Sequence, residues 1–475
     1  MLFSSIIFIA YFLPVFLAFY YVSGMRTAAL LTGSVVFYVW GEGAYVALLG
    51  AMIAMNHWGA HRIAASATRG RYWLIALIAI DLAVLGVFKY YNFVALNLNT
   101  VLGELLPKLD LRLPLGISFF TFQLISYVAD VYRRQVEPER SPMAFATYIL
   151  MFPHLIAGPI VRYADIRDEL TRQGRHRRIG LGLQYFIVGL CQKVLIANSV
   201  APVADHAFAL GADLDASMAW IGILSYTLQI YFDFCGYSNM AIGLAFLLGF
   251  TFPRNFDFPY AARSITDFWR RWHMSLSFWF RDYVYIPLGG NRTTRARTFA
   301  NLLIVFFLTG LWHGAAWNFI VWGMFHGALL LTERVWLGQR LARMPRWIAS
   351  IYTLLMVMVG WVFFRAEGMR EALHFLKKMA SFHEFYYPLV KSRLVMNKQF
   401  WTAIAFGAVL SFPLVSAVLE KLRRPRYGRS ERIAEARLDT LHVHPLPVWL
   451  LLGGFVLSVA LLASSSLNPF LYFRF

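Results

Sequence analysis

The stretch from Asp267 to Gly327 reads DFWRRWHMSLSFWFRDYVYIPLGGNRTTRARTFANLLIVFFLTGLWHGAAWNFIVWGMFHG, and it decides how the chain must fold. Between Thr298 and Thr332 there is no Asp, Glu, Lys or Arg, yet His313 and His326 lie inside that run. As one helix the run would be roughly 50 Å long, against a hydrocarbon core of about 30 Å. It must break, and the segment from Gly310 to Asn318, with glycines on both sides of Trp312-His313, is the expected place. An ionisable group beside a helix break at membrane depth has to face protein or a wet cavity, since lipid cannot satisfy the freed backbone. His313 is therefore the first functional candidate.

The rest of the chain agrees with a membrane setting. It is 59% hydrophobic, 17% aromatic and 15% charged over 475 residues, with a mean hydropathy of +0.56. Apolar windows near 20 residues recur along its length, so we expect an all-α, polytopic membrane protein with roughly 10 to 13 embedded segments. A single domain over residues 1–475 is expected. The spans fall near 3–22, 28–41, 44–56, 72–88, 144–161, 179–200, 218–235, 237–252, 299–312, 315–332, 347–364, 399–419 and 446–463. Short, glycine-interrupted members such as 44–56 and 144–161 are expected to be re-entrant or broken. The first run has neither a basic leader nor a small-residue cleavage site, so it reads as an uncleaved span, with Arg26 marking its cytoplasmic end.

A net charge of +19 would suit nucleic acid, but the basic residues sit in short connections such as Arg162–Arg178, Arg292–Arg297, Arg334–Arg346 and Lys421–Arg437. That patterning marks cytoplasmic loops beside anionic lipid, and no nucleic-acid partner is expected. Cys191 and Cys235 both lie in apolar segments without metal or disulfide spacing, and no HExxH, GxSxG or Walker A motif occurs. No metal site is expected.

Asp267–Tyr285 reads as an amphipathic interfacial helix. At 100° per residue, Trp269, Trp272, His273, Leu276, Phe280 and Tyr283 share one face, while Arg270, Arg271, Arg281 and Asp282 point elsewhere. His273 would then lie on the buried side. Imidazole is the side chain best matched to accepting and returning a proton near neutral pH, which favours His313 and, less strongly, His273 for chemistry. His326, 13 residues beyond His313, would be about 20 Å farther along a continuous helix and on a nearly opposite face. Unless the chain bends sharply it cannot share a site with His313, and it is assigned a structural role. His154, in FPHLIAGP, is assigned to packing.

Several long motifs occur in order: FKYYNF at 88–93, LPLGISFFTFQLISYVADVYR at 113–133, FPHLIAGPIVR at 152–162, YFDFCGYSNMAIG at 231–243, NFDFPYAARSITDFWRRWHMSLSFWFRDYVYIPLGGNR at 255–292, and GLWHG at 310–314. Together they resemble the membrane-bound O-acyltransferase family, in the bacterial branch that contains alginate O-acetylation and teichoic acid D-alanylation proteins. The resemblance covers nearly the whole chain. It implies a ring of tilted helices around a central tunnel, with His313 catalytic and His273 near the reaction centre. It also implies acetyl-CoA or another acyl thioester as donor substrate, with no permanently bound cofactor. An extracytoplasmic acyltransferase partner, an envelope polysaccharide acceptor and residence in the bacterial inner membrane follow from the same resemblance. Cys235 and Asn239 depart from the Ser and Asp usual in that branch, which puts any charge-dependent role at 239 in doubt and leaves the histidine pair intact. A transporter or flippase is the rival class. It would call for inverted repeats, which are not evident, or for midplane acids, for which Asp81 and Asp233 are the candidates.

Overall fold

A computed structural model describes residues 2–171, 178–381, 396–414 and 446–464. The basic run Lys421–Arg437 and the end of the 399–419 span lie outside them. The described residues are helical, without a strand. Among the described residues, five helices are long and apolar enough to cross a membrane: Thr68–Leu102, Ile179–Ala209, Ala216–Leu248, Arg295–His313 and Arg346–Arg365. The chain is thus a multi-pass membrane protein.

Several expected spans change form. The pair expected at 218–235 and 237–252 is one helix, Ala216–Leu248, of 33 residues. Gly236 does not break it. A Cβ there would come within 2.6 Å of the Gly189 carbonyl oxygen, so the glycine lets the neighbouring Ile179–Cys191 helix approach. The segment at 44–56 is an uninterrupted helix, Tyr45–Ala65, rather than a broken one. The expected break in 144–161 is present: Pro142–Leu150 ends at Met151, and a single turn, Phe152–Leu155, follows. Several helices fall outside the expected spans, among them Ile117–Tyr132, Tyr163–Thr171 and Met369–Met379. Ile117–Tyr132 has 14 of its 16 residues buried, so it packs within protein rather than facing lipid, although Arg112 and the Arg133-Arg134 pair flank it in the sequence.

The chain divides into two compact units. The first comprises Met1–Leu183 and Met240–Pro253. Phe3, Phe8, Phe12, Phe16 and Phe37 gather around Phe152 with centroids 5.1–6.2 Å away. Tyr20 and Tyr21 donate to the Leu248 and Leu247 carbonyls, at 2.7 and 2.8 Å. Asp81 accepts a hydrogen bond from Asn56 at 3.0 Å. His154 is fully buried, its Nδ1 bonded to the Gln123 amide, in keeping with a packing role.

The second unit comprises Gln184–Asn239 and Arg254–Arg474, and it holds every residue of the candidate site. Its helical hairpin, Arg295–His313 followed by Trp317–Thr332, is closed by a seam of small residues. A Cβ on Gly310 would lie 2.4 Å from the Phe319 carbonyl oxygen, and one on Gly323 would lie 2.2 Å from that of Phe306. Backbone meets backbone here, the packing that small residues permit between membrane helices. Asp233 is paired with Lys193 at 2.5 Å, with side-chain exposures of 3% and 1%. Asp233 is therefore not an isolated charge, whereas the hydrogen-bond partner of buried Asp81 is the neutral Asn56 amide.

Candidate active site

The charge-free run breaks where expected. Its first helix ends at His313, Gly314 and Ala316 are extended, and the second helix starts at Trp317. Asn318, in the first turn of the second helix, donates to the Phe363 carbonyl at 3.2 Å and the Ala366 carbonyl at 2.7 Å. That side chain pins the hairpin apex to the end of the Arg346–Arg365 helix. It satisfies carbonyls a helix terminus would otherwise leave unpaired.

His313 is buried, 6% exposed. Its ring lies in edge contact with Trp312 (4.8 Å between centroids), Trp322 (5.0 Å) and Phe364 (5.1 Å). Three aromatic walls fix the plane of the imidazole. They also make the surroundings apolar, so a polar reactant there interacts strongly with the few polar groups present.

His273 is reached differently. Asp267–Tyr285 is not one helix but two short ones, Ile265–Arg271 and Met274–Phe280, followed by a π-helical turn at Arg281–Tyr285. The break falls on His273, whose backbone is left-handed at φ 44°, ψ 54°. The shared face is kept as far as Phe280, with Trp269, Trp272, His273, Leu276 and Phe280 buried and Tyr283 half-buried. The periodicity was right about burial and wrong about continuity. A left-handed non-glycine residue costs about 1 kcal/mol or more and persists only when its surroundings over-determine it.

Asn255 supplies that constraint. Its carbonyl accepts from the Met274 N–H at 3.0 Å, and its Oδ1 accepts from the Ser275 N–H at 3.3 Å and the Ser275 hydroxyl at 3.0 Å. The His273 Nδ1 lies 3.2 Å from the same Oδ1. A backbone N–H can only donate, so this amide atom is the oxygen. Nδ1 therefore carries the proton in the neutral ring, and Nε2 carries the lone pair. Asn255→Ala removes this hold and is expected to lower turnover by roughly 10²-fold, the scale of a 1 Å misplacement near a reacting group. Steady-state kinetics on the purified variant check it.

The structure brings the two histidines together. The His273 ring meets Trp312 at 6.1 Å and Phe234 at 4.7 Å, so both histidines pack against one indole. His326 departs from its expected isolation. The chain bends sharply enough at Gly314–Ala316 that Trp322 touches both His313 and, at 5.4 Å, His326. Trp312, Trp322, Phe364, Asn255 and Asn318 all belong to the site and were not singled out from sequence. Asn318 alone carried a signal, as the polar residue that closes the predicted break.

Cys235 accepts from Asn239 and Cys191 from Ser458, each at 3.5 Å. Asn239, where the branch usually has an acid, also donates to Gln192 at 2.8 Å. Among the described residues no group of three His, Cys, Asp or Glu side chains is arranged to hold a metal ion.

Residues 135–368, which include both histidines and the whole hairpin, match the model of the membrane-bound O-acyltransferase family. The chain is 40% identical over 503 residues to the probable alginate O-acetylase AlgI of Azotobacter vinelandii, with 100% of each chain covered. The chain belongs to the membrane-bound O-acyltransferase family. A peptidoglycan O-acetyltransferase of Helicobacter pylori is 36% identical to this acyltransferase over 419 residues, covering 80% of each chain. A teichoic acid D-alanyltransferase of Bacillus subtilis is 32% identical over 235 residues, covering 46% of this chain and 58% of the relative. The acyltransferase is an enzyme of the multi-pass membrane class that the hydropathy of its sequence predicted.

Proposed function

We propose that this acyltransferase carries an acetyl group from a cytosolic thioester, acetyl-CoA or a carrier-bound equivalent, to the outer face of the bacterial inner membrane for O-acetylation of an alginate-like polysaccharide. The acceptor class is supported by alginate O-acetylases that match over the full length, whereas the peptidoglycan and teichoic acid relatives match over less of it. The observation that carries the reading is the placement of His313. It is buried at the apex of the hairpin, whose stretch from Thr298 to Thr332 is charge-free, one 19-residue helix (about 28 Å) away from the basic Arg295 end. A group so placed lies close to a full hydrocarbon thickness of about 30 Å from the Arg295 end, so a donor entering there has to reach it through the protein, while an acceptor approaches from the opposite side.

In the proposed reaction the lone-pair nitrogen of His313 takes the proton of an acceptor hydroxyl as that oxygen attacks the thioester carbonyl carbon. The tetrahedral oxyanion collapses, the C–S bond breaks, and the imidazolium returns the proton to the departing thiolate. Ester and free thiol result. The carbonyls at the C-terminal end of the Arg295–His313 helix carry partial negative charge toward the imidazolium as it forms. His273, with its proton fixed on Nδ1, presents Nε2 as a fixed acceptor that orients the incoming hydroxyl or donor. Aromatic walls exclude water that would hydrolyse the thioester.

An extracytoplasmic partner acyltransferase would pass the acetyl group to the polymer, because the donor and a glycan chain lie on opposite sides of the hydrocarbon core. Acetyl-CoA incubated with the detergent-purified acyltransferase and a soluble hydroxyl acceptor should release coenzyme A in step with acetyl ester formation. A transporter or a scaffold for an envelope complex would release none, and that result would overturn the reading.

A further inference from the structure

We infer that His326 is a positioning residue for His313, acting through Trp322. The inference rests on the proposed catalytic role of His313. His326 is fully buried, and neither ring nitrogen has a hydrogen-bond partner among the described residues. Burying an imidazole in this way costs free energy that a phenylalanine of similar size would not, so packing alone does not account for a histidine here.

Its contacts show what the ring does hold. His326 stands nearly perpendicular to Trp269, at 5.3 Å and 88°, and to Trp322, at 5.4 Å and 71°. It lies parallel to Phe268 at 6.3 Å. An imidazole N–H beside perpendicular indoles can interact with a π face, a directional contact that phenylalanine cannot supply. Phe268 and Trp269 belong to the short helix that leads into His273, and Trp322 is a wall of the His313 pocket. One ring therefore ties the segment carrying His273 to the hairpin carrying His313.

The fourth side is the backbone of the Arg346–Arg365 helix. A Cβ on Gly360 would stand 2.7 Å from His326 Nε2, so the helix approaches so closely that the ring has no room to turn. Trp322 also stacks on Trp361, at 6.1 Å and 15°, and meets Phe364 at 5.0 Å. Movement of His326 would be passed to the indole that fixes the imidazole plane of His313.

The test uses the full-length acyltransferase in detergent with acetyl-CoA and a soluble hydroxyl acceptor. His326→Phe, His326→Gln and Gly360→Ala are compared with wild type and with His313→Ala. His326→Phe is expected to lower kcat about tenfold with the KM for acetyl-CoA and the thermal midpoint unchanged. His326→Gln, which restores an N–H donor, should regain part of the loss. Gly360→Ala should reproduce the loss without removing any polar group, and together with His326→Gln it carries the test if the phenylalanine variant does not fold. Wild-type kcat in both His326→Phe and Gly360→Ala, with His313→Ala inactive, would overturn the inference and leave the catalytic reading intact. So would a loss that follows thermal stability across the series, which would mark His326 as packing. Activity in His313→Ala would overturn the catalytic reading itself, and this inference with it.

Discussion

Replacing His313 with alanine is expected to lower acyl transfer by roughly 10²–10⁴-fold, the contribution typical of a general base. The imidazole is held by Trp312, Trp322 and Phe364 rather than by a role in the helix cap, where it is the Gly314 N–H that closes the last turn onto the Gly310 carbonyl at 3.3 Å. Truncation therefore leaves the hairpin seam and the Asn318 clamp in place, and the variant should insert and purify as wild type does. Thioester consumption matched to ester formation is the measurement. Retention of more than about a tenth of wild-type turnover would contradict the assignment.

Gly323→Val should cost the fold rather than the chemistry. The Cβ it introduces would fall 2.2 Å from the Phe306 carbonyl oxygen and 3.1 Å from the Gly310 Cα, both in the partner helix backbone. A flexible side chain could swing away from such a contact, but a hydrogen-bonded helix backbone cannot. The two helices would have to separate, and Trp322, on the adjacent position, would be drawn away from His313. Overpacking of a core typically costs about 1–3 kcal/mol, and contact against rigid backbone belongs at or above the upper end. Size-exclusion chromatography after heating should show a lower midpoint and loss of the monodisperse peak. Gly453→Ala is the control: it lies in the Val448–Ser464 helix with nothing within 4 Å of the added carbon, and it should leave the midpoint unchanged.

The class of fold was readable because apolar length is a direct consequence of bilayer thickness. Reading by length failed elsewhere. The charge-free run from Thr298 to Thr332 breaks at Gly314–Ala316, yet the Ala216–Leu248 helix, of 33 residues, runs on without interruption. Its apolar window is 94% buried, whereas that of Thr68–Leu102 is 17% buried. Burial does not set the length either, since the little-buried Thr68–Leu102 helix is 35 residues long; the broken run differs from both in the extended backbone at Gly314 and Ala316. Gly236 looked like a boundary and proved to be a point of close approach, because glycine serves both purposes and only the neighbour distinguishes them.

Within the site, His313 was legible as an ionisable residue beside a necessary break. His273 was legible as buried, but its left-handed backbone was not, since Asn255, which enforces it, lies 18 residues earlier and makes its contacts only in three dimensions. His326 was set aside on helical geometry that the bend at Gly314 cancels. The aromatic walls were invisible for a plainer reason. In a chain that is 17% aromatic, composition gives no way to tell a pocket wall from a membrane anchor.

The central claim is that one buried histidine serves a donor from one side of the membrane and an acceptor from the other. Sealed liposomes containing the acyltransferase test it most directly. Radiolabelled acetyl-CoA is supplied only at the face bearing Arg295, and polysaccharide with the extracytoplasmic partner only at the opposite face. The account predicts labelled polysaccharide on the far side, dependent on the partner and lost with His313→Ala. Product that forms only when donor and acceptor share the same compartment, or that persists without His313, would contradict it.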